Sequence, residues 1–193
     1  MQTLEKDYTD SQRINIAPDE AQNSRCLHDL LLTDPRGDKD RIEASKDNLL
    51  KDSYTWILDD PAFLEWRDND TRLLWIKGDP GKGKTMIMIA LVKELETTLG
   101  PGALSYFFCQ STMPELNNAV SVLRGLLYLL IVKQRTLIRY LRKEYDIQGK
   151  KLVEGENAFY ALWRILSEML NDSSLPRVYL MVDALDECDS GSS

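Results

Sequence analysis

The chain has 193 residues, 43% hydrophobic and 28% charged, which suits one globular domain or a domain with a helical leader. Its formal net charge of −7 at pH 7 and pI of about 4.8 argue against a nucleic-acid partner. Cys26, Cys109 and Cys188 are odd in number and widely spaced, which fits a reducing compartment and neither a disulfide framework nor a zinc site.

The chain opens on a polar stretch, and residues 1–24 are assigned to a flexible N-terminal segment. It has no apolar core of the kind a secretory signal carries, so a cytoplasmic protein is expected. From Asp19 a short amphipathic helix carries Cys26, Leu27, Leu30 and Leu31 on one side, within a helical leader spanning residues 25–70. The lone histidine, His28, has no evident partner and reads as a surface or helix residue. Thr33 to Asp38 contains Pro35 and Gly37 and is expected to break the helix, with a second helical piece over 39–51. Asp60 before Pro61 has the form of an N-cap opening a small helix through Phe63, Leu64 and Trp66. Asp68-Asn69-Asp70 then turns the chain into a strand, Leu73-Leu74-Trp75-Ile76.

Residues 78–85 read Gly-Asp-Pro-Gly-Lys-Gly-Lys-Thr, a full G-x-x-x-x-G-K-[ST] pattern. In such a loop Gly78 and Gly83 allow tight turns, and successive main-chain N–H groups form an anion nest. Lys84 can reach the β- and γ-phosphates of a nucleotide, and the Thr85 hydroxyl can ligate Mg²⁺. The candidate nucleotide-binding residues are therefore Gly78, Asp79, Pro80, Gly81, Lys82, Gly83, Lys84, Thr85 and Met86. An apolar helix starting near Met86 would add its N-terminal dipole.

Leu99-Gly100-Pro101-Gly102 stops that helix, and Ala103–Cys109 reads as a second strand. A long helical region from about Leu116 to Tyr145 follows, interrupted near Lys133-Gln134 and buried through Val120, Leu123, Leu127, Leu130 and Ile131. Its apolar stretch Leu126–Val132 is too short to span a membrane. Arg135, Arg139, Arg142 and Lys143 read as a solvated face. A helix over 156–170 is expected to place Phe159, Leu162, Ile165, Leu166 and Met169 inward. After Pro176 a third strand, Val178–Val182, ends in Asp183-Ala184-Leu185-Asp186-Glu187. An apolar strand ending in aspartate sets a carboxylate beside the phosphate loop, where it can hold Mg²⁺ through water.

With both motifs in place the chain resembles fungal NACHT-type signalling NTPases of the STAND class, the group linked to heterokaryon incompatibility. The resemblance rests on Leu74–Thr85, Leu104–Gln110 and Asp183–Cys188, with Thr33–Arg36 and Lys51–Ile57 similar to that group's leader. It covers about residues 25–189. It implies a P-loop NTPase with an α/β/α three-layer fold and a parallel sheet, residues 71–193 being the N-terminal part of that domain. It also implies an ATP- or GTP-dependent switch with Mg²⁺, in which the nucleotide holds a closed form and exchange opens it to oligomerise and drive an effector. By resemblance Lys84 holds phosphate, Thr85 and Asp183 are the metal anchors, and Asp186 and Glu187 are the catalytic candidates for orienting water. The base pocket is expected in the leader, near Arg41-Ile42-Glu43.

The family's strand order implies a further strand between the phosphate-loop strand and the Asp183 strand, and this chain ends ten residues after Asp183. A truncated product with an incomplete sheet is therefore expected, with weak or absent hydrolysis. Either Leu73–Ile76 and Val178–Val182 pair directly, or a gap remains that bares one side of Trp75, Phe107 and Leu180. Self-association, or docking onto full-length relatives through an exposed sheet edge, is the alternative role. A small-molecule kinase is a third reading, disfavoured by the Asp-Ala-Leu-Asp-Glu motif and the lack of a lid segment.

Overall fold

A computed structural model describes residues 19–45, 54–69, 71–99 and 104–188. The described helices and strands follow the order of the sequence reading, with one strand missing. Helix α1 covers residues 19–30 and buries Cys26, Leu27 and Leu30, while His28 stays at the surface. Helix α2 spans Pro35–Ser45. The Asp34-Pro35 pair therefore starts a helix where the sequence suggested a break through Asp38. The reason is capping. The Asp34 carboxylate accepts the Arg36 N–H at 3.0 Å, and Pro35 occupies a first-turn position that needs no donor. The Arg36 guanidinium holds the same carboxyl below the usual carboxylate range. The rest of the helix expected to residue 51 lies outside the described residues.

Two short helices follow, α3 over Thr55–Leu58 and α4 over Pro61–Asp68. Asp60 caps α4 as its sequence suggested, accepting the Ala62 N–H at 2.8 Å, and Phe63 and Trp66 are buried. Helix α5 runs Lys84–Thr98 from the end of the phosphate-loop motif and buries an apolar side from Met88 to Leu95.

Strand β1, Leu104–Phe108, pairs in parallel with β2, Tyr179–Asp183, from Leu104 opposite Tyr179 to Phe108 opposite Asp183. Between them come α6 (Ala119–Lys133), α7 (Ile138–Gln148), α8 (Lys151–Glu154) and α9 (Ala158–Leu170). Parallel pairing requires such a crossover. Helices cover both faces of this pair. Leu104, Tyr106, Phe108, Tyr179 and Met181 join the cluster built on α5 and α4, whereas Phe107 packs with Val122 and Leu126 of α6. Alternating side chains of one strand thus serve two layers. Helix α6 comes very close to the sheet at Gly125, where a Cβ would lie 2.4 Å from the Phe107 ring. The α/β class stands, as a mostly helical chain with a two-stranded parallel sheet among the described residues.

Four details differ from the sequence reading. Leu73–Ile76 has no regular secondary structure and pairs with neither strand, so a gap remains beside β2. That gap bares Trp75, 62% exposed, but not Phe107, which α6 covers. Phe159 is exposed, because Ala158 takes the inward position one turn before Leu162. Arg142 is not a solvated side chain. It reaches Asp19, Asn23 and Asp146 and ties α7 to α1.

The two cations flanking the apolar run of α6 also turn inward. Buried Arg124 donates to the Leu30 and Asp29 carbonyls at 2.9 and 2.7 Å, satisfying acceptors at the C-terminal end of α1. Lys133 donates to the Leu104 carbonyl at 2.9 Å with its ammonium over the Tyr106 ring. Among the described residues, no helix is long and apolar enough to cross a membrane.

Candidate phosphate-loop site

The loop before α5 is shaped by glycine conformation. Gly81 and Gly83 have φ of 77° and 80°, in the left-handed region that side chains with a Cβ avoid. Gly78 is not in that region, and a Cβ there would meet nothing closer than 3.9 Å. The glycines that the backbone needs are therefore 81 and 83, a shift from the sequence reading of 78 and 83. Gly83 is also the N-cap of α5, and no side chain caps that helix end. Its carbonyl accepts the Ile87 N–H at 3.0 Å, and the Lys82 N–H closes a turn on the Asp79 carbonyl at 3.3 Å.

Lys84 opens the helix and folds back over this loop. Its ammonium donates to the Gly78 carbonyl at 2.6 Å and the Asp79 carbonyl at 3.3 Å. Among the described residues no carboxylate forms an ion pair with it. Among the described residues the Lys84 side chain is thus held by neutral acceptors beside a helix N-terminus without a side-chain cap.

Asp183 is the last residue of β2 and is 8% exposed. Its carbonyl accepts the Cys109 N–H at 3.2 Å, extending the ladder by one step. Ala184 then turns sharply, at φ 52°, into a 3₁₀ turn over Leu185–Glu187. This turn carries Asp186 at the surface.

A cleft of about 310 Å³ joins these pieces. Lys84, Asp183 and Asp186 all line it, together with Leu73–Ile76 and Leu180–Val182. Two motifs 98 residues apart in sequence therefore meet at one opening. Thr85, Met86 and the loop residues Gly78–Gly83 lie outside its lining. So do Arg41, Ile42 and Glu43, which are engaged elsewhere. Arg41 donates to Asp38 and Gln110, Ile42 packs on the α5 cluster, and Glu43 pairs with Lys93. Trp66, Arg72 and Leu185 line the cleft and were not singled out from the sequence. Their position just before and just after the two motif strands was the available signal.

A match to the family described as Nephrocystin 3, N-terminal, covers residues 52–193. The chain belongs to this family. It is also 54% identical over 164 residues to the vegetative incompatibility protein HET-E-1 of Podospora anserina, a match spanning 84% of the chain. The resemblance to fungal NACHT-type incompatibility proteins is thereby shown. The match spans only 12% of HET-E-1, about one-eighth of its length. No solved structure matches the chain.

Proposed function

We propose that this chain is the nucleotide-binding piece of a NACHT-type switch, a P-loop domain that takes ATP or GTP with Mg²⁺. The observation that carries the reading is the meeting of Lys84, Asp183 and Asp186 in one cleft at the N-terminus of α5. The donor set fits a triphosphate. An ammonium held by carbonyls among the described residues, two left-handed glycines and a helix start without a side-chain cap offer donors and positive potential to an anion.

In this reading Lys84 exchanges the Gly78 carbonyl for phosphate oxygens, and the N–H groups of the loop point at the same anion. The Asp183 carboxylate, at the strand end, and the Thr85 hydroxyl are the residues that would hold a cation. A bound magnesium ion would neutralise phosphate charge. Asp186 and Glu187 are the residues on hand to orient a water, and hydrolysis is expected to be weak or absent in this chain. A cytoplasmic location belongs to the same proposal.

The test is thermal unfolding with millimolar ATP or GTP and Mg²⁺. At a ligand concentration about 100 times Kd, mass action stabilises a protein by about 2.7 kcal/mol. Lys84→Ala removes charge-assisted hydrogen bonds worth about 1.5–3 kcal/mol each and should erase most of the shift. A wild-type chain unmoved by both nucleotides defeats the reading.

One observation favours a second role. Leu73 and Trp75 are 69% and 62% exposed on a segment without a strand partner. Such a bare edge suits docking onto another copy or onto a longer relative.

A further inference from the structure

Cys109 and Cys188 are 79 residues apart, and their Sγ atoms stand 2.7 Å from each other. Neither is in a disulfide. That separation is only about 0.7 Å beyond the covalent S–S length of about 2.05 Å, a difference small enough for side-chain rotation to close. The pair is positioned by structure on both sides. Cys109 follows β1, is 5% exposed, and packs with Phe107, Leu116 and Leu126. Its N–H is held by the Asp183 carbonyl. Cys188 closes the 3₁₀ turn after β2 through its N–H to the Leu185 carbonyl at 3.3 Å, and packs against the same apolar cluster. The turn between Asp183 and Cys188 is the segment that carries Asp186 and Glu187.

We propose that Cys109 and Cys188 form a reversible disulfide that fixes the turn after Asp183 to the end of β1 and lowers the affinity of the site for Mg²⁺-nucleotide. The regulatory half rests on the nucleotide-binding reading, while the bridge itself does not. The oxidant is a low-molecular-weight disulfide such as oxidised glutathione. Cys188, the more exposed thiol, loses its proton and attacks one glutathione sulfur, breaking that S–S bond and releasing one glutathione thiolate. Cys109, on losing its own proton, attacks the Cys188 sulfur of the mixed disulfide and releases the second. Two protein thiols are oxidised by two electrons, and one glutathione disulfide becomes two glutathione thiols. Cys26 is the internal control. It is fully buried, and burial pushes its thiol up to about 12, which disfavours the reactive thiolate.

The experiment equilibrates the whole chain with glutathione buffers of increasing oxidation, followed by thiol trapping and non-reducing peptide mass mapping. A linked Cys109–Cys188 peptide should appear in wild type and in Cys26→Ser, vanish in Cys188→Ser, and revert with dithiothreitol. Closing a long loop should also raise the Tm of the oxidised chain by roughly 5–10 °C. Absence of the linked peptide after the thiols have reacted, or its replacement by an intermolecular Cys188 bridge, overturns the site. With the bridge formed, Mg²⁺-ATP or Mg²⁺-GTP affinity should fall at least threefold and recover on reduction, with Cys188→Ser insensitive to the buffer. Unchanged or raised affinity overturns the regulatory half. A chain that binds no nucleotide in either redox form defeats the nucleotide reading alone, and the peptide map still decides the bridge.

Discussion

Lys84 and Asp183 have different jobs at one opening, and the difference is measurable. Under the proposed nucleotide-binding reading, Lys84 would neutralise phosphate directly. In the same reading Asp183 would act only through a cation, because a carboxylate repels phosphates placed in the same cleft. Asp183→Asn is therefore expected to weaken nucleotide binding in Mg²⁺ and to leave binding in EDTA almost unchanged. Glu187→Gln should spare affinity and lower any turnover. Calorimetry in the two buffers, with phosphate release, separates them. An equal loss from Asp183→Asn with and without Mg²⁺ would mean that the carboxylate only shapes the end of β2.

At the scale of elements, the sheet depends on how closely α6 approaches it. Gly125 has no room for a side chain because the Phe107 ring occupies the space, and Phe107 in turn is buried by that contact. Gly125→Ala should force the helix or the ring to move and cost about 1–3 kcal/mol, although alanine is the better helix former. Urea unfolding of Gly125→Ala against wild type tests this, and a stabilised variant would show that the helix–sheet spacing is adjustable. The capped starts of α4 and α6 show the opposite case. Asp60 and Asn118 each accept an N–H from the first turn of their own helix, at 2.8 and 3.0 Å, so these boundaries need no tertiary partner.

For the whole molecule, the gap beside β2 is the dominant feature. Leu73–Ile76 and β2 residues Leu180–Asp183 both line the cleft, and among the described residues the sheet has no strand besides β1 and β2. Such an opening leaves sheet edges and apolar side chains available for pairing. The isolated chain is expected to self-associate with rising concentration, and Trp75→Glu, which puts a charge on the exposed wall, should restore a monomer. Sedimentation velocity over a tenfold concentration range checks both. A wild-type chain that stays monomeric with a sharp cooperative transition would mean that the two-stranded sheet is sufficient as it stands.

Much of this was decided by local sequence. The left-handed need of Gly83, the Asp60-Pro61 helix start and the break of the long helix at Gln134 are all set by near neighbours, through φ restriction, capping and periodicity. Other features could be fixed only by tertiary structure. Leu73–Ile76 has the composition of a buried strand, yet a strand exists only when a neighbour accepts its hydrogen bonds, and among the described residues it pairs with none. Phe159 fits the helical period of an inward residue until Ala158 takes the place against the neighbouring helices. Arg124 and Lys133 flank an apolar run, and distant carbonyls at Leu30 and Leu104 draw them inward. The meeting of Lys84 with Asp183, and of Cys109 with Cys188, comes from parallel register across a crossover of four helices. No local rule carries that distance, because which side chains meet is set by how the helices pack over the sheet.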